Sequence, residues 1–136
     1  MERAEIEMFE RNRLAELLSR LYDQGKSTKG ERGKLWEIED RSQLYTVLDR
    51  LDILSDGIVG YVSQITTKGY TRQKPQDVIN HLDRLTIFNV ECIMKWYPTA
   101  EQEYPKIKQY FELLDYVRLL TIDYIQRYQL QEVSTK

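Results

Sequence analysis

IKQYFELLDYVRLLTIDYIQRYQL, residues 107–130, is the stretch on which the fold turns. At about 100° per residue, Ile107, Tyr110, Phe111, Leu113, Leu114, Val117, Leu120, Ile122, Tyr124, Ile125 and Tyr128 spread over an arc of roughly 200°. Only Arg118 and Thr121 interrupt it. A helix at the edge of a bundle needs an apolar stripe of only about 100° or somewhat more, so the excess has two destinations. Either this helix is central, or its second side meets another chain.

Upstream of this stretch, Pro105 stands where a first helical residue is best placed, and the helix is expected to start at Tyr104 or Pro105. Residues 99–103 make one turn. The preceding helix is expected from Pro75 to about Trp96. Asp77 favours its start, Val78, Leu82, Leu85, Cys92, Ile93 and Trp96 lie on one face, and Tyr97-Pro98-Thr99 ends it. Before it, Leu44, Leu48, Leu51, Ile58, Val62 and Ile65 stay in phase through Ser55-Asp56-Gly57, and Val47, Leu54 and Tyr61 support the same stripe. A loop at Ser55 would be free to shift that phase, which predicts one long helix over about 40–66. The alternative is a break at Asp56-Gly57.

Residues 35–39, with Trp36 and Ile38, are expected as an extra turn. The stretch 25–34, GKSTKGERGK, holds three glycines and four basic residues and predicts a flexible basic loop. The letters GKST suggest a phosphate-binding loop. That pattern needs a glycine at the position of Arg20 and a strand in front, whereas a leucine-periodic helix precedes it. Residues 2–24 form that helix, through Leu14, Leu17, Leu18 and Leu21, with frayed or exposed first turns over 1–8. Residues 131–136 are a polar tail. These elements predict an all-α single domain over 1–136, an antiparallel four-helix bundle, with a fifth helix if the second breaks at Gly57.

Charge and composition remove several function classes. Twenty Lys and Arg against 22 Asp and Glu leave a net −2, which argues against a surface built throughout to grip nucleic acid. One cysteine, Cys92, makes no internal disulfide, and the charged first 13 residues carry no signal-peptide core. No apolar run approaches the roughly 18 residues of a membrane span, so the expectation is a cytoplasmic protein without a membrane segment.

No residue set specifies catalysis, a cofactor or a metal. The single histidine, His81, lacks the glutamate at position 78 and the second histidine that a carboxylate-bridged di-iron bundle needs; position 78 is Val78. Cys92 lies 11 residues from His81, about 16 Å along one helix, too far for a Cys-His pair. Asn89 reads as a polar residue satisfied in the core. The carboxylates Glu37, Glu39 and Asp40, and Asp49, Asp52 and Asp56, read as solvated faces.

Ten tyrosines are the compositional oddity, and five of them, Tyr104, Tyr110, Tyr116, Tyr124 and Tyr128, lie in the last segment. Tyrosine buries a large ring and keeps a hydroxyl, which suits interfaces. The expected function is therefore a non-enzymatic helical protein-protein interaction module. It would self-associate, a dimer being favoured, through Leu113, Tyr116, Leu120 and Tyr124, unless the polypeptide around Trp36 covers that strip. The alternative is a nucleic-acid-binding accessory subunit. It would place Lys26, Lys29, Arg32 and Lys34, with Lys68, Arg72 and Lys74 of the second basic connector over 67–74, on phosphates, and Tyr70 would stack on a base.

Overall fold

The computed structural model describes residues 2–43, 45–87 and 90–130. Among the described residues the chain is all-helical, with six α-helices and no strand. Helix α1 spans Arg3–Ser27 and turns Leu14, Leu17 and Leu21 inward. Its first turns, expected to fray, are helical from Arg3, whose guanidinium donates to the Arg127 carbonyl at 2.6 Å.

Helix α2, Lys29–Ile38, occupies most of the stretch expected as a flexible loop. Thr28 joins it to α1. This fully buried residue donates its hydroxyl to the Gly25 carbonyl at 2.6 Å, and its own carbonyl accepts from Arg32 N at 2.9 Å. Gly25, Gly30 and Gly33 do not break the helices, because none takes a positive φ. Lys26 and Ser27 lie in the last turn of α1, so GKST forms no phosphate loop.

Helix α3, Val47–Lys68, runs unbroken through Ser55-Asp56-Gly57, as the phase of its apolar residues predicted. It begins seven residues later than expected. Thr46 and Asp49 form a reciprocal cap, and the Glu39 carboxylate accepts from Val47 N at 2.6 Å and Leu48 N at 3.2 Å. Four orphan N–H groups at a helix start need such acceptors, and they lie here rather than near Asp40. Leu44, counted in the stripe, lies outside the described residues. Gly69 ends α3 with φ 85°, a left-handed conformation suited to glycine. Gly57 serves close packing, since a Cβ there would sit 2.7 Å from Leu85 Cδ1.

The expected helix over 75–96 is two helices, α4 at Pro75–Arg84 and α5 at Glu91–Glu103. Two buried arginines explain the break. Arg50 of α3 donates to the carbonyls of Arg84 at 2.9 Å and Thr86 at 3.0 Å, and Arg118 donates to that of Leu82 at 3.2 Å. The carbonyls of Arg84 and Thr86 are thus satisfied from a neighbouring helix, and that of Leu82, which also accepts from Leu85 N at 3.0 Å, gains a second donor. Asn89 falls outside the described residues. Pro98 does not end α5, which continues past it for five residues to Glu103.

Helix α6, Pro105–Ile125, is followed by a π turn at Gln126–Leu130. It starts where Pro105 predicted, and it packs against each of the other five helices. Ile107, Tyr110, Phe111, Leu114, Val117, Tyr124 and Ile125 are all buried on it. The first destination for its wide apolar arc is therefore realised: α6 is the central element. Its ends are fixed by long-range contacts. Glu31 of α2 accepts from Lys106 N and Ile107 N, each at 3.0 Å, and Gln129 donates to the Gly69 carbonyl at 3.0 Å. The tail over 131–136 lies outside the described residues.

Candidate interaction surface

The strip expected at an interface lies along the seam between α6 and α1. Tyr124 is only 2% exposed, and its hydroxyl donates to Glu7 Oε2 at 3.0 Å. Burial, and then this bond to a carboxylate, push its phenol well above the ordinary tyrosine range. The first half of α1, and not the polypeptide around Trp36, covers that end of the strip. Leu113 and Leu120 are half-buried against the core. Tyr116 stays 42% exposed and accepts a hydrogen bond from the Arg13 guanidinium across the seam.

Helical spacing extends this surface on both sides. Phe9 precedes Arg13 by four residues and is 68% exposed; Ile6 precedes Phe9 by three, and both lie on one flank of α1. Leu119 follows Tyr116 by three residues and is 52% exposed. Phe9 and Leu119 were not among the residues expected at the interface. Phe9 lies at the edge of the leucine stripe of α1, and Leu119 falls on the polar side of its helix, so periodicity alone hides both. Around them the seam is closed by ion pairs, with Arg127 on Glu10 at 2.7 Å and on Asp123 at 3.2 Å. The cleft between Glu10, Arg13, Leu14, Leu120, Asp123 and Tyr124 holds only about 40 Å³. A drug-sized ligand pocket has at least about 300 Å³, so this cleft is too small to hold such a ligand.

The seven basic residues fall into two sets at opposite ends of α3. In the first, Arg32 pairs with Asp52 at 3.0 Å, and Lys34 donates to the Glu103 carbonyl at 3.3 Å and lies over the Tyr104 ring. Lys26 and Lys29 are exposed on the surface. In the second, Lys68 closes α3, and Arg72 and Lys74 are exposed beyond Gly69, near exposed Tyr70. Asp52 and Lys68 are 16 residues apart, about 24 Å along the helix. The two sets do not form one continuous basic track.

The residues weighed for chemistry have structural partners. His81 Nδ1 lies 2.6 Å from the Tyr61 hydroxyl, with the rings edge to face. Cys92 is half-buried beside Tyr45 and Lys95, and burial pushes its thiol upward, away from the reactive thiolate. Among the described residues no group of three or more His, Cys, Asp or Glu side chains is placed to hold a metal ion. No helix among them is long and apolar enough to cross a membrane.

Comparison with protein-family models, curated proteins and solved structures finds no match to this chain.

Proposed function

We propose that this chain is a non-enzymatic helical assembly module that pairs with a second copy of itself through the α1/α6 seam. In this reading the helices form four antiparallel columns, α1, α3, α4 with α5, and α6. The seam is the outer boundary between the first column and the last. One observation carries the reading: Phe9, Tyr116 and Leu119, all large and all more than two-fifths exposed, flank a single seam. Exposed apolar side chains scattered singly need no explanation, whereas a cluster marks a contact surface. A two-fold axis through the seam would set each α1/α6 pair on its copy, the commonest way for a soluble chain to close.

The wide arc of α6 no longer supports this proposal, because the bundle itself consumes it. The exposed flank does. Light scattering on the chain eluting from a sizing column at tens of micromolar should give a mass near twice 16.3 kDa. Tyr116→Glu with Leu119→Glu should return it to the monomer mass with its helical content unchanged. A wild-type chain that elutes as a monomer ends the proposal. The nucleic-acid alternative has less support, since Arg32 and Lys34 are engaged within the chain and the two basic sets stand apart.

A further inference from the structure

We infer that α2 is a strap that opens independently of the helices it crosses. Ten residues is shorter than the roughly 12 to 15 at which an isolated helix becomes even marginal in water, so α2 persists only through what it touches. It buries one apolar side chain, Leu35, whereas α3 buries eight residues and α6 nine. It also carries Gly30 and Gly33, each with nothing within 4 Å of where a Cβ would stand. Neither glycine is required by packing or by a positive φ, and each loosens the helix against its unfolded form.

What holds α2 down is mostly polar. Glu31 accepts from Lys106 N and Ile107 N at the start of α6, Arg32 reaches Asp52, and Lys34 reaches the Glu103 carbonyl. Water can replace each of these partners when the strap lifts, and the Arg32–Asp52 pair is exposed enough to contribute little. The core of α3 and α6 has no such substitute, because its buried side chains can open only by losing their packing. Segments with few buried contacts open at lower free energy than the whole molecule. The strap is anchored again just beyond its end, where Glu39 accepts from the first N–H groups of α3. Its opening therefore frees the start of α6, which has no cap from its own N-cap residue, while Thr46 still caps α3.

Amide hydrogen exchange on the full chain under native conditions tests this. Amides of residues 31–38 should exchange faster than those of Ile58, Val62, Leu114 and Val117, through an opening that leaves the latter protected. Ile125→Val, at the far end of α6, should speed exchange of the α3 and α6 core by roughly fivefold and leave residues 31–38 unchanged. Leu35→Ala should strip protection from 31–38 while the remainder still melts in one cooperative transition. The inference is overturned if 31–38 accelerate together with the core in Ile125→Val. It is equally overturned if Leu35→Ala unfolds the whole chain.

Discussion

Arg118, 8% exposed in the middle of α6, donates from Nη1 to the carbonyl of Leu82 in the last turn of α4 at 3.2 Å. Its Nε lies 3.0 Å from Asp115 Oδ1, so one guanidinium both holds a carboxylate and caps the end of another helix. Arg118→Met keeps the stem and removes both contacts. It leaves Asp115 without its cation and the Leu82 carbonyl with only the Leu85 N–H, at 3.0 Å, as its donor. Breaking a buried pair from one side costs about 3 to 5 kcal/mol, and Asp115, whose side chain is 23% exposed, places this site at the lower bound, about 3 kcal/mol. Urea unfolding should show that loss, with the slope of the transition unchanged. A loss under about 1 kcal/mol would mean that the end of α4 does not depend on Arg118.

Two glycines of α3 should respond in opposite ways to one methyl group. A Cβ at Gly60 meets nothing within 4 Å, so Gly60→Ala should stabilise the chain by about 0.5 to 1 kcal/mol through helix propensity. A Cβ at Gly57 would lie 2.7 Å from Cδ1 of Leu85, which is only 4% exposed and must shift inside a packed core. Overpacking of that kind costs about 1 to 3 kcal/mol and cancels or exceeds the propensity gain. The two variants should therefore differ by at least about 1 kcal/mol in denaturant unfolding. Equal stabilisation of both would show that Leu85 yields freely.

The unequal fates of these glycines mark how far the sequence can be read. The continuity of α3 through Gly57 was legible because phase is local: Leu54, Ile58 and Ile65 keep one face whatever packs on it. The break after Arg84 was not. Its cause, Arg50 and Arg118 donating to carbonyls 34 and 36 residues away in sequence, is a tertiary contact with no local signature. The width of the apolar arc on α6 was legible too, but periodicity cannot say whether the chain itself or a second copy fills it. Of the expected strip, Tyr116 stays on the surface while Tyr124 is spent on Glu7. Phe9 and Leu119 are exposed at positions that one helix read alone assigns to solvent.

Alkaline pH should weaken the fold through Tyr97. Its hydroxyl donates to Glu112 Oε2 at 2.6 Å, and this bond, with burial next, pushes its phenol from 10 up to about 12. Between those values the unfolded chain has released the proton and the folded chain still holds it. The folded state then binds more protons, so stability is fully present below pH 10 and is lost as pH rises toward about 12. Urea midpoints measured across this range should fall for the wild type. Tyr97→Phe should flatten the slope in part, because Tyr124 and Tyr61 are raised as well. Identical slopes in the two chains would show that the Glu112 bond does not govern the titration.

Pro98 should be the easiest place to make this protein more stable. It lies eight residues into α5, where a proline removes the hydrogen bond to the carbonyl four residues back and presses its ring against it. That carbonyl belongs to Met94, a residue 59% exposed. The helix nevertheless continues to Glu103, because beyond the proline it is held from within the bundle: Ala100 is fully buried, and Tyr104 N donates to the Ala100 carbonyl at 2.7 Å. Packing has overridden a local signal that would otherwise end the helix. Pro98 itself is exposed, so its replacement removes no core contact. Pro98→Ala restores the N–H and should raise stability by about 1 to 3 kcal/mol, less whatever entropy the proline withholds from the unfolded chain. Thermal unfolding should move upward accordingly. A fall in stability would mean that Pro98 is what seats Ala100 in the core, and that the proline is part of the fold's design.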